Sequence, residues 1–196
     1  MFKKFKLGLV LGLACLSSAQ ADSLFGEFQR LPTVLERGFS IGADFGLLYM
    51  TGTDPNTDGK TVLNPGFQMS FPFGMDIQKY ISIYLTPTLG ISQADINDRI
   101  LTGGVNFFFF DASVRGQYPL GRWYPFVEVG GGIVYSRPGF EAPGKASTQK
   151  IDILLAGGIE YYTLLRHYSL YAKATYHKTG LPLDGLTAAF GLKYTF

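Results

Sequence analysis

The eleven residues LTAAFGLKYTF (186–196) alternate without a break. Leu186, Ala188, Phe190, Leu192, Tyr194 and Phe196 fall on one side of an extended chain, and Thr187, Ala189, Gly191, Lys193 and Thr195 on the other. Successive side chains of a β-strand point in opposite directions, so one face of this segment asks for an apolar medium and the other does not. YISIYLTPTLGIS (80–92) repeats the pattern, with Ile81, Ile83, Leu85, Leu89 and Ile91 opposite Ser82, Tyr84, Thr86, Thr88, Gly90 and Ser92.

Six more segments read the same way. Residues 39–50 put Phe39, Ile41, Ala43, Phe45, Leu47 and Tyr49 on one face, with a second face that begins Ser40, Gly42, Asp44 and Gly46. Residues 65–75 set Phe67, Met69, Phe71 and Phe73 against Gln68 and Ser70. In 105–118, Phe108, Phe110, Ala112, Val114 and Tyr118 oppose Asp111, Ser113, Arg115 and Gln117. WYPFVEVGGGIVY (123–135) places Val127, Val129, Ile133 and Tyr135 against Glu128, Gly130 and Gly132. Residues 150–162 place Ile151, Ile153, Leu155, Ile159 and Tyr161 against Asp152, Ala156, Gly158 and Glu160. HYSLYAKATYH (167–177) places Tyr168, Leu170, Ala172, Ala174 and Tyr176 against Ser169, Tyr171, Lys173, Thr175 and His177. Pro72 and Pro87 lack the N–H that a ladder needs, which predicts a strand end or bulge at each.

Residues 1–21 look like a cleaved signal peptide. MFKKFK is basic, LGLVLGLACL is apolar but too short for a bilayer-spanning helix, and Ala19-Gln20-Ala21 has the small residues of a cleavage site. The one cysteine, Cys15, lies in this segment. An acylated lipoprotein would use it, but Gly12 stands where a lipobox shows Leu. Removing the leader leaves 175 residues, and the loss of Lys3, Lys4 and Lys6 from 17 basic residues leaves 14 against 15 acidic ones. That balance gives no footprint for nucleic acid. Residues 22–38 form a periplasmic lead-in and 39–196 one domain. Aromatics are 15% and charged residues 16%, where soluble domains carry roughly 25% charge, and no later run reaches a helical span. Export, low charge and alternating strands together predict an all-β fold, an eight-stranded antiparallel transmembrane up-and-down barrel.

Two further patterns separate this reading from a soluble sandwich. Connectors near 51–64, 93–104, 137–149 and 178–185 read as long, and those near 76–79, 119–122 and 163–166 as short, as expected of four extracellular loops above periplasmic turns. Aromatics gather in two belts. Phe39, Phe73, Tyr80, Tyr118, Trp123, Tyr161, Tyr162, Tyr168, Tyr194 and Phe196 mark one rim, and Tyr49, Tyr135 and Tyr176 the other. Only closure pairs every backbone group of a strand in lipid, so the final segment is expected to bond to the first.

The signal sequence, eight segments and terminal aromatic resemble small bacterial outer-membrane barrels: the OmpA membrane domain, OmpX and the OmpW-like proteins. That resemblance implies a porin-like Gram-negative envelope protein in the outer membrane. It also implies an assembly signal in Phe190, Leu192, Tyr194 and Phe196 that is read by the insertion machinery. The implied partners are outer-membrane lipid and lipopolysaccharide, with periplasmic chaperones during assembly, and the expected state is a monomer. RWYPFVEVGGGIVY with YHKTGLPLDG resembles, more weakly, outer-membrane lipid A deacylases. That likeness implies a His-x-Ser pair and a later glutamate. Here the triplet is His177-Lys178-Thr179, and Asp184 is the only later carboxylate side chain.

The inward faces carry Asp44, Asp111, Arg115, Glu128, Asp152, Glu160, Lys173 and Lys193. An eight-stranded barrel is just wide enough for side chains, and buried charges must pair, so these residues are expected to form a structural ion network. Glu128 with Glu160 would otherwise suggest acid–base catalysis. Gly130-Gly131-Gly132 lacks the rest of a phosphate loop, His167 and His177 fall at opposite strand ends, and DPNTDGK (54–60) lacks the glutamate of a calcium loop. No cofactor and no metal is expected. NFFFF (106–110) reads as a lipid-facing strand opening rather than an aromatic platform. The function expected is non-enzymatic, with loops that meet the cell surface or envelope. The alternatives are an OmpW-like conduit for small hydrophobic compounds and a divergent lipid A deacylase working through His177 and Thr179.

Overall fold

A computed structural model describes residues 38–53, 60–62, 65–96, 99–138, 148–163, 167–181 and 183–196. The expected signal peptide (1–21), the lead-in apart from Gly38, and the acidic turn at 54–59 lie outside these residues. The described residues form ten strands: β1 (Phe39–Thr53), β2 (Lys60–Val62), β3 (Gly66–Ser70), β4 (Phe73–Gln78), β5 (Ile81–Ile96), β6 (Arg99–Gln117), β7 (Trp123–Pro138), β8 (Thr148–Tyr162), β9 (Tyr168–Thr179) and β10 (Leu183–Thr195). All pairings are antiparallel, each long strand beside its neighbour in sequence. β10 returns to β1 in register from Ser40↔Thr195 to Gly52↔Leu183, and Phe196 N–H donates to Phe39 O at 2.8 Å. The sheet is closed. β2, β3 and β4 together make one wall position between β1 and β5, so ten strands build an eight-stranded barrel.

The break in that position is at Phe71-Pro72, as Pro72 predicts. Gly42 N–H still donates to Pro72 O at 2.8 Å, and Phe71 N–H to Pro87 O at 3.0 Å. Each proline therefore accepts from its partner but cannot return the bond. At Pro87 the expectation of an end or bulge is corrected: β5 runs through it, with Pro87 opposite Phe110. In an antiparallel ladder a residue's N–H and C=O point to the same side, and Pro87 O accepts from Phe71 N–H, so the missing donor also faces Phe71 and the ladder to β6 loses nothing.

The connectors are also corrected. β5 and β6 are 16 and 19 residues long, where about 9–11 cross the hydrocarbon. They stay paired to Ile96↔Arg99, so most of 93–104 is strand rather than loop. β9 ends at Thr179 and β10 begins at Leu183, which makes that connector a tight turn as well. At the opposite end, β6 turns into β7 through Gly121, whose φ of 67° suits glycine.

Outward positions form an apolar band. Phe45, Leu85, Val127, Ile153 and Phe190 are 50–61% exposed. A continuous surface of this kind is incompatible with water and matches acyl chains. Trp123 and Tyr161 pack at 4.7 Å, and Tyr194 meets Phe196 edge-on at 5.0 Å, at the short-turn rim. Tyr49, Tyr135 and Tyr176 are exposed at the other rim. Tyr162 is a correction to the belt, because it is buried and points into the barrel. Its parity is that of Glu160, and the side chain follows the strand. We predict that Leu155→Lys, at mid-strand, destabilises the protein in phospholipid vesicles by about 2–4 kcal/mol, against about 0–1 kcal/mol for Ile151→Lys near the rim. Denaturant unfolding measures both, and equal losses would contradict the band.

Candidate functional site

Period two decides what fills the lumen. On β6 the inward positions run Phe107, Phe109, Asp111, Ser113, Arg115 and Gln117, and all are buried. Arg115 lies opposite Glu128 on β7. Its Nη2 is 2.5 Å from Glu128 Oε1, and its Nη1 is 2.8 Å from Glu160 Oε2 on β8. The two carboxylates that might have formed an acid–base pair are thus held apart by one guanidinium. The guanidinium carbon lies over the rings of Tyr84 and Phe126, 4.2 and 3.9 Å from their centroids, in two cation–π contacts. Gly158 makes room for this. A Cβ there would stand 2.6 Å from Phe126 Cζ.

Glu160 is the hub of the layer. It also accepts from Lys193 Nζ at 2.5 Å and from Ser169 Oγ at 2.5 Å. Lys193 in turn reaches Tyr162 Oη at 3.3 Å and Tyr84 Oη at 3.4 Å. Nearer the barrel's middle, Lys173 Nζ lies 2.8 Å from Asp44 Oδ2, and Tyr171 Oη donates to the same oxygen at 2.9 Å. Arg115, Lys173 and Lys193 therefore face Asp44, Glu128 and Glu160, three charges against three.

Asp111 and Asp152 stand outside those pairs, toward the loop end. Asp152 Oδ2 is 2.6 Å from His177 Nδ1, and the His177 ring packs against Phe109 at a tilt of 40°, with centroids 4.6 Å apart. Thr179 is buried beside them, and its Oγ1 accepts from Leu181 N–H at 3.2 Å. His167 lies at the far rim, with Nδ1 2.8 Å from Thr195 O. Of the assembly-signal residues, Phe190, Leu192 and Phe196 face outward and Tyr194 is half-buried.

Above the polar layers sits an apolar plug of Leu48, Met50, Phe107, Phe109 and Val134. This corrects the reading of NFFFF: Phe108 and Phe110 face outward, while Phe107 and Phe109 are 1% exposed and fill the lumen. The signal was in the parity, since both share a face with Asp111, and Leu48 and Met50 share one with Asp44. The aromatic partners Tyr84, Tyr162, Tyr171 and Phe126 carry the same signal.

Removing one member of a buried ion network leaves the others uncompensated, at about 3–5 kcal/mol. Arg115→Met should therefore lower the stability of the barrel in vesicles by about that amount. Asp184→Asn, which alters only exposed contacts, the Lys178 pair at 2.7 Å and the Tyr176 Oη hydrogen bond at 3.1 Å, should leave the unfolding midpoint unchanged. Equal midpoints for Arg115→Met and the parent would show that the network contributes nothing.

No protein-family description and no curated protein sequence matches this chain. Solved structures do match in fold. Neisserial surface protein A superposes with a TM-score of 0.59 at 13% identity, over 81% of this chain and 97% of that one. The outer membrane protein OprG from Pseudomonas aeruginosa gives 0.52 at 12%, over 82% and 98%. Ail, the attachment invasion locus protein of Yersinia pestis, gives 0.50 at 13%, over 82% and 100%. The chain has the fold of small eight-stranded outer-membrane β-barrels.

Proposed function

We propose that the protein is an integral outer-membrane β-barrel, exported by its leader, whose work is done by its outer surface rather than by a pore or a catalytic centre. The observation that carries this reading is the double closure of the lumen. A charged layer around Arg115 and Glu160 lies below the apolar plug of Leu48, Met50, Phe107, Phe109 and Val134. The cavity between the layers is only about 20 Å³, room for about one water. Lipopolysaccharide and the surfaces of other cells are the partners that the loop end would meet, and a monomer suffices because the seam from β1 to β10 closes the wall within one chain.

Enzymatic hydrolysis of membrane lipid finds little support in this geometry. His177 and Thr179 are buried in the lumen, 5% and 4% exposed, behind a paired wall. Nucleophile and base would have to meet the acyl ester on the other face. Transport of small hydrophobic compounds is the second reading, and it is favoured by one observation. Pro72 and Pro87 adjoin in the wall and withhold two ladder bonds there, below the apolar plug. The charged layer opposes a continuous apolar path.

Purified protein in planar bilayers should show no discrete openings, and the same preparation should leave the mass of lipid A unchanged. Stepwise conductance would overturn the closed lumen, and a deacylated product that disappears in His177→Ala would establish the hydrolase instead. Flux of an apolar solute into liposomes that falls when Pro72 and Pro87 are both replaced by valine would favour the conduit.

A further inference from the structure

Among the described residues paired inside the lumen, three cations are matched by three carboxylates, and the fully buried remainder is Asp111, Asp152 and His177. All three are buried, at 2%, 0% and 5% exposure. One ligand atom from each lies within 4.8 Å of the others. Asp111 Oδ1 and Asp152 Oδ1 have no hydrogen-bond partner. Two unsatisfied carboxylate oxygens in a low-dielectric interior are costly unless something positive sits between them.

The strand register brings them together on purpose-built ground. Asp111, Gly132 and Asp152 form one cross-strand row on β6, β7 and β8, so the two carboxylates flank a residue without a side chain. A Cβ at Gly132 would stand 2.5 Å from Asp111 Oδ1. The cavity of about 20 Å³ is lined by Asp111 and His177, with Thr86, Thr88, Thr175 and Lys173 around them. Lys173 is the one cation in that lining, and it is already engaged by Asp44 at 2.8 Å. Phe109 covers the His177 ring from the plug side.

We propose that this cluster binds one divalent transition-metal cation through a carboxylate oxygen of Asp111, a carboxylate oxygen of Asp152 and one ring nitrogen of His177. Two charges on the ion cancel the two carboxylates with a neutral imidazole, and the charges buried in the lumen then sum to zero among the described residues. Two carboxylates and an imidazole are donors of the kind that suit Zn²⁺, Mn²⁺ or Co²⁺ rather than a thiol-seeking ion. Tetrahedral bonds of about 2.0–2.2 Å set donors about 3.3–3.6 Å apart, so ligand atoms now within 4.8 Å of one another must draw in by up to about an ångström. The fourth position falls to a water from the cavity. The site ties β6, β8 and β9 together below the plug, at the end of the barrel where strands extend past the membrane.

The test uses the full chain, purified in detergent, stripped with a chelator and desalted. After incubation with Zn²⁺ and a second desalting, elemental analysis should find about one zinc per chain, and Co²⁺ should give visible d–d absorption. Asp111→Asn and His177→Gln should each weaken retention by about 100-fold or more, the upper range for disturbing even an outer partner of a metal ligand. Gly132→Ala should weaken it as well, and Asp184→Asn should not. Folding of every variant is read from heat-dependent gel mobility. Should a variant fail to fold, the parent decides: Zn²⁺ must raise its Tm and shift the His177 ring resonances. Absence of retained metal would overturn the proposal and leave protons as the balancing charges. Retention that survives both Asp111→Asn and His177→Gln would mean an adventitious ion only.

Discussion

The backbone carries one donor and one acceptor per residue into a medium that offers neither, and everything else in this barrel answers that constraint. Strands can meet it only by closing, which is why β10 returns to β1 along nearly its whole length. Closure with eight strands fixes a narrow interior, and a narrow interior leaves no bulk water for the charges that alternation has turned inward. The ion pairs around Glu160 are thus a consequence of the lipid outside as much as of the residues inside.

Within that interior the chemistry changes along the axis. Toward the short turns, Arg115 meets two aromatic rings and two carboxylates, and Lys193 meets Glu160 and two phenols. Both cations are almost fully buried, so their neutralisation is a condition of folding. Toward the loop end, polar side chains give way to Leu48, Met50 and Phe107. The boundary between the two regimes runs through Phe109 and His177, the place where a cation has most to offer.

Most of the architecture was legible because period two is enforced on every strand at once. Alternation from Ile81 to Ile91, or from Leu186 to Phe196, has no other economical home, and it sorts lumen from lipid without any contact being known. What stayed hidden has two physical sources. Apolar residues that face inward, such as Phe107 and Phe109, look the same in sequence as those that face lipid, and only strict parity with Asp111 separates them. Pairings across the lumen, such as Arg115 with Glu160 or Asp152 with Asp111, depend on strand stagger, which no single segment encodes. Polar residues in 93–104 read as loop because strand pairing beyond the membrane no longer needs an apolar face.

That extension has a consequence for what lies outside. β6 meets β7 only from Val105↔Pro138 onward, whereas β5 and β6 stay paired, through a register shift, out to Ile96↔Arg99. Among the described residues, the hairpin therefore continues as two strands beyond the last β7 partner. Backbone groups that leave the lipid have water to bond to, so the demand that closes the wall lapses along that part of the hairpin.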